Sequence, residues 1–162
     1  MVVNLGIEVP ANAFACGENI KVPYVAEDAI TPGMLVMKGT ADNQVLLCTA
    51  GAKNALGIAD LNRNAVSRGL TPLTAYVAGE TLEVIVFGFV SVEADTHGIT
   101  AGAKVGVGTH TSGHVENNQD QAVGGAFNQA ELELVKDELG MLIGRAFTTA
   151  AAGNRAVIFL NP

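Results

Sequence analysis

Residues 30–40 read ITPGMLVMKGT, and residues 99–109 read ITAGAKVGVGT. Set against each other at an offset of 69, they agree at six of eleven positions: Ile, Thr, Gly, Val, Gly and Thr. The agreement extends upstream, where GENIKV (17–22) matches GETLEV (79–84), and downstream, where LGIA (56–59) matches IGRA (143–146). A third copy of the first element follows as AGNRAV (152–157). The unit is therefore G-E-x-x-x-V, then I-T-x-G-x-x-V, then G-x-A, present twice with one returning strand. The spacers differ in length, as surface connections are free to do.

Glycines alternating with apolar residues fit either a phosphate-cradling loop or a tight corner between strands. A phosphate loop is a single site at a helix N-terminus and gains nothing from duplication. A turn-and-strand unit does gain, because each half buries its apolar face against the other. In the first copy, Thr-Pro-Gly sets φ at Pro32 and leaves Gly33 free to take a positive φ, as in a type II turn. The second copy lacks the Lys-Ser/Thr ending of a P-loop, and neither has G-x-G-x-x-G spacing. Both stretches are structural turns.

The flanking segments read as strands. TLEVIVFGFVSVEA (81–94) is nearly continuous in β-branched and aromatic residues, with Leu82, Val84 and Val86 on one face and Ile85, Phe87 and Phe89 partly on the other. Gly88 in its middle suggests a bulge or a sharp barrel bend. NIKVPYVA (19–26), QVLLCTA (44–50) and RAVIFLNP (155–162) are further strands, the first demoted to an edge or a kink by Pro23. These features predict an all-β fold: one β-barrel or sandwich domain over 1–162, built from halves at 15–68 and 75–162. An N-terminal arm occupies 1–14 and an insertion lies near 116–140. Short helical segments are expected in 59–72, which ends toward Gly69 and Pro72, and in 127–140, where Leu132, Val135 and Leu139 share a face.

Composition narrows the function. Hydrophobic residues make up 49% of the 162 and charged ones only 15%, well below the soluble norm of about a quarter, so association with itself or a large partner is expected. No apolar run reaches the ~18 residues of a membrane span, and MVVNLGIEVPANAF (1–14) lacks the pattern of a signal peptide. The net charge of −7 with scattered basic residues argues against direct nucleic-acid binding. The absence of Trp and the 5% aromatic content disfavour stacking platforms for sugars or bases.

No constellation makes an active site. His110 and His114 stand four apart with His97 nearby, but Thr, Ser and Gly between them suggest a hairpin loop rather than a helix face for zinc. Glu131, Glu133, Asp137 and Glu138 lack the order of a calcium loop and read as a solvated helix face. Ser67, Ser91 and Ser112 have no nucleophile-elbow context. Cys16 and Cys48 allow one disulfide, though a buried free thiol is the commoner outcome. No catalytic residue, cofactor or metal is expected. The candidate contact residues are Val3, Leu5, Ile7 and Val9, which alternate in the arm as one apolar face stopped by Pro10. Such an edge can add to a neighbouring chain or pair within the monomer.

The order AGETLEV (78–84), VEA (92–94), ITAGAKVG (99–106), GRA (144–146) and AAAGNRAVIFL (150–160) resembles the capsid decoration, or cement, proteins of tailed bacteriophages and prophages. The likeness covers roughly 75–160, with an echo over 15–60. It implies a small β-rich virion protein without catalysis on the outside of a head shell, often trimeric, clamping neighbouring major capsid protein subunits. Assembly would take place in the host cytoplasm. A carbohydrate-binding or adhesin-type β module is the alternative, and a small barrel hydrolase a more distant one.

Overall fold

A computed structural model describes residues 15–60, 75–117 and 142–161. The arm residues Val3, Leu5, Ile7 and Val9, the helix expected at 127–140 and nearly all of the one at 59–72 lie outside the described residues. Nine strands, and no helix, occur among those described. In chain order they are β1 (Ala15–Ala26), β2 (Leu35–Lys38), β3 (Gln44–Leu47), β4 (Ala55–Ala59), β5 (Thr81–Glu93), β6 (Lys104–Val107), β7 (Val115–Asn117), β8 (Leu142–Ala146) and β9 (Arg155–Leu160). They form one continuous all-β sheet in the order β1-β3-β2-β4-β5-β9-β8-β6-β7, and β1 also pairs with β5.

That extra pairing closes the first five strands into a barrel. β1 runs antiparallel to β5 with Val22 opposite Val84, and parallel to β3 only at Val25 and Ala26. Pro23, which has no N–H to donate, lies in the stretch of β1 before the β3 pairing begins. The other four strands leave β5 through β9 and return to it by a parallel bridge between Ala94 and Val115.

The two rings repeat the same hydrogen bonds. Ile30 bridges Tyr76 as Ile99 bridges Ala150. Gly33 and Gly102 both have φ of 84°, and their N–H groups donate to the carbonyls of Ala59 and Ala146 at 2.7 and 2.8 Å. Gly57 and Gly144, the glycines of the G-x-A element, sit where an added Cβ would lie 2.2 and 2.0 Å from the carbonyl oxygens of Ile85 and Phe159. Any side chain there would push β4 off β5, or β8 off β9. Gly79 and Gly153 also correspond, each donating to the carbonyl of a buried alanine, Ala26 and Ala94. Residues 17–22 do not hold the place that their likeness to 79–84 suggests. They belong to β1, whose residues 20–25 pair antiparallel with β5 over 81–87.

Two apolar cores result. Ala26, Ile30, Val36, Val45, Tyr76, Leu82 and Val84 fill the first ring. Leu35, Ile58 and Ile85, on the opposite faces of β2, β4 and β5, join Val90, Val92, Val105, Ile143 and Ile158 in the second. Strands buried on both faces read as unbroken apolar runs rather than alternating ones. Part of the high apolar content is therefore consumed inside the chain. Cys48 is a free, buried thiol, so it is not bonded to Cys16.

Candidate functional site

β5 carries Phe87 and Phe89 on either side of Gly88, and both of their rings lie against that of Phe159 on β9. The register between β5 and β9 sets Phe89 opposite Phe159, and Phe147 follows directly after β8. Its N–H donates to the Val157 carbonyl at 2.8 Å, which holds the residue against β9. Four of the chain's six phenylalanines thereby meet in a row.

The row runs Phe87, Phe159, Phe89, Phe147. Ring centroids are 5.1 Å apart at the first contact, 5.0 Å at the second and 4.9 Å at the third. The two outer contacts are edge-to-face, with interplanar angles of 80°. Each such contact contributes about 0.5–1.5 kcal/mol beyond area burial. Phe89 and Phe159 are half-buried in the middle, whereas Phe147 is 56% and Phe87 39% exposed at the ends. Ile20, opposite Phe87 on β1, is 58% exposed and lengthens the apolar face. Contiguous exposed apolar patches of this kind mark contact surfaces.

At its far side the face gives way to polar contacts. Arg155 Nε donates to Ser91 Oγ at 3.1 Å and Nη2 donates to the Ser91 carbonyl at 2.7 Å, with Glu93 at 4.0 Å. Burial pulls the Arg155 guanidinium below its ordinary pKa, and the Glu93 charge opposes that pull. Ser91 is thus buried, with both its hydroxyl and its carbonyl oxygen accepting from Arg155. On β1, Lys21 pairs with Asp60 and lies 3.4 Å from Glu83. Burial would lower the Lys21 pKa, but the hydrogen bonds and charges of Asp60 and then Glu83 outweigh it and hold it above its usual value.

Val3, Leu5, Ile7, Val9 and the acidic group Glu131, Glu133, Asp137 and Glu138 lie outside the described residues. His114 does not join His110 as a ligand pair; its Nε2 faces Glu93 Oε1 at 3.9 Å. Sequence reading passed over the aromatic face because it weighed the low aromatic total and not its distribution. The available signal was Phe87 and Phe89 at a spacing of two in a strand whose other face is apolar.

The sequence and the fold both have known counterparts. Residues 10–161 match the family described as structural cement protein (E217 gp24/Pam3 gp6). The chain belongs to this family. Membership makes it a phage structural protein with a capsid-stabilising role and a place in the virion. The match takes in the N-terminal half as well as 75–160. No curated protein matches the sequence. Among solved structures, the head fiber gp8.5 N base in bacteriophage phi29 is similar in fold, with a TM-score of 0.50 and 12% identity. That match covers 89% of this chain and 95% of the other.

Proposed function

We propose that the protein binds the outer surface of a phage-type head shell as a homotrimer and clamps neighbouring major capsid protein subunits without catalysis, cofactor or metal-dependent chemistry. Assembly takes place in the host cytoplasm. The face formed by Phe87, Phe89, Phe147 and Phe159 docks on the major capsid protein. The observation that carries this reading is the concentration of four phenylalanines on one outward sheet face of a chain only 5% aromatic. Aromatic residues are enriched at protein interfaces, and contiguous exposed apolar patches mark contact sites. The apolar arm, with Val3, Leu5, Ile7 and Val9, adds a strand to the capsid protein or to the adjacent protomer. A carbohydrate-binding or adhesin role is not favoured, since sugar platforms call for the Trp and Tyr faces this chain largely lacks.

The test uses the full chain with Phe147→Ser and Phe87→Ser, each added to undecorated capsids. Binding is expected to fall at least ~10-fold, the effect of removing a hot-spot anchor. Phe147→Ser should lower the unfolding temperature of the free protein less than Phe87→Ser, since Phe147 is 56% and Phe87 39% exposed. Each also loses one edge-to-face ring contact, so capsid binding is measured where both variants are folded. Undiminished capsid binding by both variants would remove the face from the interface. Deleting residues 1–11 tests the arm in the same assay: weaker binding with the fold retained supports a docking strand, and unchanged binding excludes one.

A further inference from the structure

The connections at one end of the second ring bring together three side chains that are far apart in sequence. Ligand atoms of His97, His110 and Glu116 all lie within 4.8 Å of one another. His97 Nδ1 is 2.9 Å from Glu116 Oε2, and the two imidazoles stand edge to face with centroids 4.8 Å apart. Both histidines are open to solvent, while Glu116 is 5% exposed.

The first ring provides an internal comparison. The N–H of Glu27 donates to the Val45 carbonyl as that of Asp95 donates to Val115, so Glu116 takes the place held by Leu46. A buried carboxylate thus stands where the other half has an apolar side chain. The connection between Ala26 and Ile30 has three residues, 27–29, and its counterpart between Ala94 and Ile99 has four, 95–98. The loop closed by Gly39 and Gln44 has four residues, 40–43, and the one closed by Gly108 and His114 has five, 109–113. Each longer loop carries one histidine of the cluster. The turn architecture is complete without these additions, as the first ring demonstrates.

Both loops are also anchored at their bases by one residue. Asp95 is buried; its Oδ2 accepts the N–H groups of His110 and Thr111 at 2.8 and 3.1 Å, and its Oδ1 accepts that of Thr96 at 2.8 Å. Glu116 Oε1 accepts the Thr109 N–H at 3.1 Å, which leaves Oε2 toward the histidines. The backbones that carry the three donors are therefore fixed, while the imidazoles can turn.

We infer that His97, His110 and Glu116 form a binding site for a divalent transition metal ion, with Zn2+ the best fit. Two imidazoles and a carboxylate with an open fourth position for water make a zinc donor set. Tetrahedral ligands at about 2.0–2.1 Å stand about 3.3 Å apart, so closing from 4.8 Å requires the exposed rings to turn, with the His110 ring free to exchange the 3.0 Å contact of its Nδ1 with Thr109 Oγ1 for the ion. The ion would also neutralise the charge of the buried Glu116 carboxylate, which is 5% exposed. Bound there, it staples the 95–98 connection to the 109–113 loop. This inference stands apart from the capsid-binding reading, because the site lies on different residues.

The experiment titrates the chelator-treated full chain with Zn2+ alone by calorimetry and with Co2+ alone by visible absorption. One equivalent is expected to bind, with a cobalt spectrum of low-coordinate nitrogen and oxygen ligation and a rise in unfolding temperature. His97→Ala and His110→Ala should each weaken binding at least ~10-fold, since even residues one step removed from a metal cost that much. His114→Ala should bind as the parent does. Absence of one-equivalent binding, or affinity unaltered in both His97→Ala and His110→Ala, would overturn the site. An equal loss in His114→Ala would also overturn it, by showing nonspecific capture at a histidine-rich end.

Discussion

Gly88 lies against Asn19 so closely that a methyl group on its Cα would sit 1.8 Å from Asn19 Oδ1. The contact falls where β1 is irregular, with register shifts on either side of Ile20. It is also where β5 passes from one ring to the other. Before Gly88 the even-numbered Leu82 and Val84 fill the first core, and after it the even-numbered Val90 and Val92 fill the second. The φ of 121° at Gly88 lets the strand rotate there without a break.

Gly88→Ala should therefore cost about 3 kcal/mol or more, combining an unfavourable φ with a clash against β1. Gly102→Ala is the control. Its φ is 84°, but an added Cβ there meets nothing within 4 Å, so only the backbone penalty of about 1–2 kcal/mol applies. Denaturant unfolding of the two variants measures the difference. Equal losses would mean that β5 can relax away from Asn19.

Tyr76 carries the alkaline limit of the first core. It is 2% exposed and its hydroxyl donates to the Asp60 carbonyl at 2.7 Å. Burial, with the charges of Asp60, Glu83 and Glu80 adding to it, pushes the phenol up to about 12. A raised folded-state pKa means this stabilisation is complete below the ordinary value of 10.0 and disappears as the pH climbs toward 12. Comparing unfolding of the parent and Tyr76→Phe across that window isolates the effect. The parent should lose stability faster than the variant, and parallel curves would contradict it. At neutral pH the variant should be less stable by about 1 kcal/mol, the worth of the lost hydrogen bond.

Cys48 should be inert in the folded protein. It is fully buried, and burial pushes its thiol up to about 11 from 9.0, which leaves about 100-fold less thiolate at mildly alkaline pH. Alkylation followed by peptide mass spectrometry should find Cys48 unmodified under native conditions and modified in denaturant. Rapid native labelling would mean that the second core opens readily.

Local chemistry made the duplication legible in the sequence. A turn that needs glycine at one position and a bridging isoleucine three residues earlier is specified by neighbours in the chain, so ITPG and ITAG announced Gly33, Gly102, Ile30 and Ile99 directly. The G-x-A element carried the same kind of information, because close strand approach at Gly57 and Gly144 tolerates no side chain. Strand partnership was not legible in this way. GENIKV and GETLEV look alike, but one belongs to the strand that pairs across the other, since apolar strand composition is the same for a partner and for a copy. Only the tertiary structure decided that β2, β4 and β5 are buried on both faces, which assigns to two internal cores part of the apolar surplus first ascribed to partners. It alone gathered Phe87, Phe89, Phe147 and Phe159, and likewise His97, His110 and Glu116. A turn is written in adjacent residues, but a side-chain cluster across a sheet depends on register and twist, which are set by the packing of segments distant in the chain.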